Sequence, residues 1–188
     1  MRWFQICALA TVIVSASASP ARADGFVTPY VGFNFGGDSA NCPSLSNCQE
    51  KRTNVGVTVG STRGIFGIEA DFGYAPHFFG ETPGQNNSVF HFMTDFMVLV
   101  PAGPIQPYAF IGLGLIRPHA TFDLTSLSLS QNAFGNDLGG GLNLYFSRKV
   151  GLHGELRHLR TFNDVTLGVF RNDKLDFWRA SAGLTFRF

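Results

Sequence analysis

The 188-residue chain carries 14 Lys and Arg residues against 13 Asp and Glu residues, a formal net charge of +1 at pH 7. This balance lacks the basic excess that marks nucleic-acid-binding proteins, so no nucleic-acid partner is expected. The chain is rich in phenylalanine (20 residues) and glycine (22 residues). Because glycine is a poor helix former and aromatic residues favour strands, the composition predicts an all-β protein.

The start of the chain, residues 1–23, has the pattern of a secretory signal peptide. Arg2 supplies the positive end, an apolar run follows, and Ala21-Arg22-Ala23 fits a small-x-small cleavage site. The apolar run of about 11 residues is much shorter than the ~20 that a membrane-spanning helix needs. We therefore expect a mature domain of residues 24–188. Loss of two arginines leaves 12 Lys and Arg against 13 Asp and Glu, a mature net charge of about −1.

Eight segments of the mature chain place apolar residues at every second position, which is the period of a strand with two different faces. Each segment is close to the length of a tilted membrane strand, about 9–11 residues with some overhang. We predict strands over residues 26–37, 53–62, 65–75, 89–100, 105–117, 133–146, 150–161 and 174–188.

The connections between these segments alternate between long and short. Three are tight, at residues 63–64, 101–104 and 147–149, and four are long and polar, at residues 38–52, 76–88, 118–132 and 162–173. Outer-membrane barrels have short periplasmic turns and longer extracellular loops. The order therefore predicts an up-and-down barrel with both termini in the periplasm. A soluble lipocalin-type barrel is the alternative, with its apolar face turned inward.

The two faces of the predicted strands differ in chemistry. In the fourth segment Phe90, Phe92 and Phe96 share one face, whereas His91 and Asp95 share the other. The lumen of an eight-stranded barrel is just wide enough to be filled by side chains, so it cannot hold 20 phenylalanines. We therefore expect aromatic side chains to face lipid and charged ones to face the lumen. The predicted fold is an eight-stranded antiparallel up-and-down transmembrane β-barrel.

The last predicted strand supports the membrane interpretation. Residues 178–188 alternate large apolar side chains with small or charged ones, and Phe188 is the final residue of the sequence. In a soluble domain such a strand would leave an exposed apolar edge, which soluble proteins avoid. A transmembrane barrel requires the same pattern, because one face of each strand meets lipid.

Three segments rich in glycine or aromatic residues, together with the terminal Phe188, carry a resemblance to a known family. These segments are residues 26–35, 107–114 and 139–144. The mature chain resembles the small eight-stranded outer-membrane barrels of the OmpA/OmpX type, which include opacity-type and "porin family" proteins. The resemblance implies a non-enzymatic protein of the Gram-negative outer membrane. Its implied role is structural or surface-interactive, as in adhesion.

The resemblance also implies partners. In that family the terminal aromatic residues are read by the barrel assembly machinery, so Phe186 and Phe188 form the expected assembly signal. Outer-membrane lipids, including lipopolysaccharide, would surround the barrel, and the four long loops would meet any extracellular ligand. The sequence ends with the barrel, so the cell-wall anchoring of family members with a peptidoglycan-binding domain is not expected.

Charged residues on the lumen phase form the principal candidate site. Buried charges must be paired, so these residues predict an internal salt-bridge network rather than a catalytic centre. Glu155 with Arg157 or Arg179 is the expected central pair, because these residues lie on neighbouring strands at similar depth. The predicted network comprises Glu69, Asp71, Asp95, Asp137, Glu155, Arg157, Arg179 and Arg187, with His91 and His153 among them.

Two other functions remain as alternatives. Some eight-stranded barrels are lipid A deacylases with a His-x-Ser pair on the lipid-facing wall. His158 has the outward phase here, but Arg160 stands where the serine would be, and Thr161 has the opposite phase. Triad chemistry needs a hydroxyl within hydrogen-bond reach of its base. The second alternative, a narrow channel, is disfavoured by the crowded lumen.

Two cysteines lie close together in the first long loop. Cys42 and Cys48 are separated by five residues. In an exported protein such a pair predicts a disulfide. The loop offers too few further ligands for a metal, and no nucleotide or zinc motif is present, so no catalytic residues, cofactor or metal site are expected.

Overall fold

The computed structural model describes residues 24–39, 52–79, 85–122, 127–164 and 174–188. The proposed signal peptide and both loop cysteines lie outside these residues. Within them, no helix is long and apolar enough to cross a membrane. The strands are β1 (Asp24–Phe35), β2 (Arg52–Arg63), β3 (Phe66–Pro76), β4 (Gln85–Leu99), β5 (Ile105–Phe122), β6 (Leu127–Ser130), β7 (Ala133–Tyr145), β8 (Val150–Thr161) and β9 (Asp176–Arg187).

The strands close into one antiparallel barrel. Each long strand pairs with the long strands before and after it in the chain, and β1 completes the ring by pairing with β9. Two short connections contain glycines in the left-handed region, Gly64 (φ 64°) and Gly103 (φ 68°), which allow the chain to reverse tightly. The predicted all-β, eight-stranded up-and-down barrel is confirmed.

The short strand β6 is a continuation of β7 and does not add a ninth barrel strand. Both pair with β5 in one register, because Ile116 faces Ala133 and His119 faces Ser130. The interruption lies opposite Pro118, which has no backbone N–H to donate to the ladder. The carbonyl of Pro118 still accepts a hydrogen bond from the backbone N–H of Gln131, at 3.3 Å. Eight strands therefore form the barrel wall.

Two of the predicted loops were too long. The segment expected as a loop at residues 118–132 is largely paired, since β5 extends to Phe122 and β6 begins at Leu127. In the same way β4 begins at Gln85, inside the loop expected at residues 76–88, and Gln85 pairs with Phe122. A ladder depends on backbone hydrogen bonds, so the polar side chains that suggested loops do not interrupt it.

The outer surface of the barrel is apolar. Side chains such as Val31 (65% exposed), Ile68 (62%) and Leu113 (62%) point away from the lumen. The alternate positions of the same strands point inward, and many of them carry buried polar side chains. Thr58 and Asp71 are two such residues, and they are cross-strand neighbours. The arrangement is the reverse of a lipocalin, whose apolar face points inward.

The lumen is not uniformly polar, because a cluster of buried apolar side chains lies near each end. At the end with the short connections, hereafter the turn end, the cluster comprises Phe26, Met97, Leu99, Tyr108 and Phe110. At the opposite end, the loop end, it comprises Ala75, Phe78, Val89, Met93, Ile116, Ala133, Leu159, Leu175 and Phe177. Phenylalanines inside the barrel were not expected from the sequence, which predicted that aromatic side chains face lipid.

Phe78 of the loop-end cluster lies beyond the end of β3, on the turn that follows it. His77 has a positive φ of 51°, which redirects the chain after β3. Its backbone N–H donates to the carbonyl of Asn87 at 2.7 Å. Phe78 is fully buried, and its ring packs edge-on against Phe177 with 4.7 Å between centroids. The chain thus folds back to place an aromatic ring in the barrel mouth.

Close strand packing predicts that inward glycines of β5 tolerate no side chain. A Cβ atom on Gly114 would lie 2.0 Å from the carbonyl oxygen of Phe92 and 2.7 Å from the Cα of Met93. We expect Gly114→Ala to lower the free energy of unfolding by about 1–3 kcal/mol. The matched control is Gly154→Ala on β8, where a Cβ meets nothing within 4 Å. Urea titrations read by gel mobility without boiling test this, and equal stability of the two variants would contradict it.

Candidate functional site

Arg157 of β8 lies at the centre of a buried layer of charge. Its Nη1 donates to Asp95 Oδ2 at 2.5 Å and also to Asp137. Its Nη2 donates to Glu69 Oε1 at 2.9 Å, and its Nε donates to Glu155 Oε1 at 2.9 Å. Arg157 is 0% exposed. One guanidinium therefore binds four carboxyl groups, which its planar fork of five N–H donors permits.

Arg179 of β9 forms the second centre of this layer. Its Nη1 donates to Asp71 Oδ2 at 2.7 Å and to the Tyr30 hydroxyl at 2.6 Å, and it lies 2.6 Å from Nε2 of His91. Its Nη2 donates to Glu155 Oε1 at 2.7 Å. Glu155 therefore bridges the two guanidinium groups, which are the two arginines considered as its partners from the sequence.

The strand register explains why these groups meet. Glu69 on β3 faces Asp95 on β4, and Arg157 on β8 faces Arg179 on β9. Glycines are the cross-strand neighbours of several charged residues. Gly112 lies between Asp95 and Asp137, and Gly139 is paired with Arg157. A position without a side chain leaves room for long or branched neighbours to cross the narrow lumen.

Tyrosine and histidine side chains complete the layer. The Tyr108 hydroxyl donates to Glu155 Oε2 at 3.0 Å, and His153 Nδ1 lies 2.9 Å from Asn143 Oδ1. His91 Nε2 lies 2.9 Å from Asp71 Oδ2. His91 and His153 were expected in this layer from the sequence, whereas Tyr30 and Tyr108 were not. Both tyrosines have the inward phase of their strands, and this signal could have placed them.

Arg187 is separated from the other proposed members of the network. It lies eight residues from Arg179 along β9, which corresponds to about 26 Å of strand. Its guanidinium covers the ring of Tyr145 at 3.7 Å and donates to Gln106. The alternation of side chains along β9 predicted that Arg187 faces the lumen. Its position along the strand, however, places Arg187 at the turn end and away from the charged layer. The other seven charged residues of the predicted set lie together.

The chemistry of the layer is that of a closed ionic core. The seven charged side chains are at most 1% exposed, so an external substrate has no access to them. Among the described residues, no group of three or more His, Cys, Asp and Glu residues could hold a metal ion. The arrangement supplies pairing and rigidity, and it presents no exposed nucleophile.

A second polar group, on the outer wall near the loop end, includes His158. His158 Nε2 lies 2.7 Å from Asp176 Oδ1, and its ring lies 4.7 Å from that of Trp178. Arg160 approaches Asp176 at 3.7 Å. The cross-strand neighbours of His158 are Leu138 and Trp178, and neither carries a hydroxyl. The histidine thus has an acidic partner but no nucleophile in these flanking positions.

The proposed assembly residues lie on the outside of the turn end. Phe186 is 39% exposed and Phe188 is 77% exposed. The backbone N–H of Phe188 donates to the carbonyl of Gly25 at 3.0 Å, so the last residue is tied to the first strand. Both rings are therefore accessible from outside the barrel.

Several solved structures share this fold. Neisserial surface protein A is 14% identical, with a TM-score of 0.65, and the match covers 88% of this chain and 97% of that one. Ail of Yersinia pestis, in complex with the heparin analogue sucrose octasulfate, is 11% identical with a TM-score of 0.56, covering 88% and 100%. A major outer membrane protein of Thermus thermophilus is 13% identical with a TM-score of 0.56, covering 89% and 100%.

These identities are low, so the structural likeness shows the fold alone. No curated protein matches the sequence. The family is shown by a sequence model described as the outer membrane protein beta-barrel domain, which matches residues 8–188. The closed barrel, its apolar outer surface and its polar lumen agree with that match. The chain belongs to the outer-membrane β-barrel domain family.

Proposed function

We propose that this protein is a non-conducting, non-enzymatic barrel that holds its loops at the surface of a Gram-negative cell, in a structural or adhesion role. The observation that carries the proposal is that buried side chains occupy the lumen at three levels. The charged layer around Arg157 and Arg179 lies between the turn-end and loop-end apolar clusters. A rigid, closed barrel leaves the loops and the outer wall as the surfaces that contact other molecules.

The three levels block the lumen by different physical means. An ion entering from the loop end would first meet buried apolar side chains such as Phe78 and Phe177. It would then have to separate buried ion pairs, which costs about 3–5 kcal/mol when one partner is lost. Arg157 also contacts the turn-end cluster, since its guanidinium lies 4.1 Å from the ring centre of Phe110. These contacts argue against the narrow-channel alternative.

The orientation of the barrel follows from the lengths of its connections. Short turns face the periplasm in bacterial outer-membrane barrels and the longer loops face outward. Both termini then lie in the periplasm, and the loop end faces the environment. The complex of Ail with sucrose octasulfate shows that one barrel of this fold binds a ligand. That precedent supports a ligand-binding role, and we infer that the longer loops are the surface on which an extracellular ligand would bind here.

This orientation implies two kinds of partner, lipopolysaccharide in the outer leaflet and the barrel assembly machinery at the turn end. The outward group of His158, Arg160 and Trp178 would lie in the outer leaflet, where the cationic side chain of Arg160, 54% exposed, can meet lipopolysaccharide phosphates. At the turn end, the exposed rings of Phe186 and Phe188 are available to the barrel assembly machinery.

The alternative of a lipid A deacylase is less well supported. His158 and Asp176 form a hydrogen-bonded pair, as the histidine and the acid of a catalytic triad do. Next to His158 on the same face of β8 stand Leu156 and Arg160, and the cross-strand neighbours have no hydroxyl. The position that needs a nucleophile therefore holds an arginine.

The closed lumen predicts that the purified protein does not conduct ions. In planar lipid bilayers we expect no stepwise current from the natural sequence. We also expect none from Phe78→Ala, because the charged layer and the turn-end cluster remain in place in that variant. Current steps whose frequency rises with the concentration of the natural protein would overturn the proposed function in favour of a channel.

The terminal phenylalanine is predicted to act in assembly. We expect Phe188→Ser to reduce the amount of heat-modifiable barrel in the outer-membrane fraction while leaving export to the periplasm intact. Phe146→Ser is the matched control, because Phe146 is also an exposed aromatic residue at the turn end (66%). Equal recovery of the two variants in folded form would remove the assembly role of Phe188.

A further inference from the structure

The charged layer contains more acids than bases. Five carboxyl groups, those of Glu69, Asp71, Asp95, Asp137 and Glu155, surround the two guanidinium groups of Arg157 and Arg179. Full ionisation of these seven groups would leave an excess of negative charge between two clusters of buried apolar side chains. Uncompensated charge in such an environment is strongly unfavourable. Protonation of a carboxyl group would reduce that excess.

The structure indicates where one such proton lies. Asp95 on β4 and Asp137 on β7 are the two cross-strand neighbours of Gly112 on β5. Because Gly112 has no side chain, both carboxyl groups lean over it. A Cβ atom at Gly112 would lie 1.9 Å from Asp95 Oδ1 and 2.5 Å from Asp137 Oδ1. The two oxygens therefore converge on the same point.

The hydrogen bonds of these carboxyl groups are unequal. The Oδ2 atoms of Asp95 and Asp137 both accept from Nη1 of Arg157. The Oδ1 atoms of both residues are buried and have no hydrogen-bond partner. Two carboxylates that converge on one point repel each other, and this repulsion favours the protonated form of one of them. A proton between the two Oδ1 atoms removes the repulsion and gives both atoms a partner.

None of the other ionisable side chains around the layer has a recorded hydrogen bond to either Oδ1 atom. The remaining ionisable side chains around the layer come from β1, β3, β4, β5, β8 and β9. Their recorded partners are other members of the layer, nearby polar side chains or, for Tyr30, the backbone carbonyl of Phe72. These side chains are Tyr30 on β1, Glu69 and Asp71 on β3, His91 on β4, Tyr108 on β5, His153, Glu155 and Arg157 on β8, and Arg179 on β9.

We propose that Asp95 and Asp137 form an acid–carboxylate pair that shares one proton at neutral pH. One carboxyl O–H donates to the Oδ1 atom of the other residue, and the single negative charge of the pair is balanced by Arg157. The folded barrel then holds a proton that the unfolded chain releases at neutral pH. Stability therefore falls as pH rises, and the unfolding equilibrium constant increases up to tenfold per pH unit.

The first test compares the natural protein with Asp137→Asn in urea titrations from about pH 7.5 to about pH 9, a range above the ordinary pKa of histidine. An amide resembles a protonated carboxyl in shape, carries no charge, and donates to Asp95 Oδ1 without titrating. We expect the natural protein to lose stability with rising pH and Asp137→Asn to show a flatter profile and higher stability at the alkaline end. The reciprocal variant Asp95→Asn serves if Asp137→Asn does not fold.

Asp71→Asn is the matched control. Asp71 is also a buried acid of the layer, but its oxygens accept from Thr58 and Arg179 and contact His91, so it has no unpartnered oxygen facing another acid. We expect this variant to be destabilised across the range while keeping the pH slope of the natural protein. Equal slopes for Asp137→Asn and the natural protein would overturn the shared proton.

Infrared spectroscopy provides a readout that does not depend on unfolding. The folded natural protein at neutral pH is expected to show the carbonyl band of a protonated carboxylic acid, which deuterium exchange shifts slowly. We expect this band to weaken in both Asp95→Asn and Asp137→Asn and to persist in Asp71→Asn. A band that is absent from the natural protein, or unchanged in the two variants, would show that the pair is fully ionised.

Discussion

The burial of two arginines inside a narrow barrel is the constraint on which the rest of the structure depends. A guanidinium removed from water is costly unless carboxyl groups surround it in good geometry. Arg157 and Arg179 obtain those partners from β3, β4, β7 and β8, with Glu155 shared between them. The ion pairs therefore couple strands that are far apart in sequence and fix their relative heights.

The same constraint separates the two faces of the wall. Because side chains alternate along a strand, a slip of one residue would turn an entire polar row toward lipid. A slip of β8 would exchange the buried Arg157 with the exposed Leu156 and place the charge in the hydrocarbon layer. Glycines such as Gly112 and Gly139 leave room for the inner charges to cross the lumen, and clusters of buried apolar side chains lie on both sides of the charged layer.

The sequence predicted what depends on period and composition. Two-residue alternation was enough to count the strands and to assign Asp95, Glu155 and Arg157 to the inner face. It could not give depth, which depends on how neighbouring strands are staggered, and so Arg187 was grouped with residues far from it. The paired extension beyond residue 117 was missed because side-chain polarity does not report backbone pairing. The inward ring of Phe78 depends on the turn at His77, which alternation does not describe.

The most direct test of the central role of the buried charge is the free energy of unfolding of Arg157→Met, compared with that of Arg148→Met. Arg148 is exposed in the connection between β7 and β8, so its loss should change stability by less than about 0.5 kcal/mol. Loss of Arg157 leaves Glu69, Asp95 and Asp137 without their cation, whereas Glu155 keeps Arg179. We expect a destabilisation of about 3–5 kcal/mol or failure to fold. Equal stability of the two variants would contradict the central role of the buried charge.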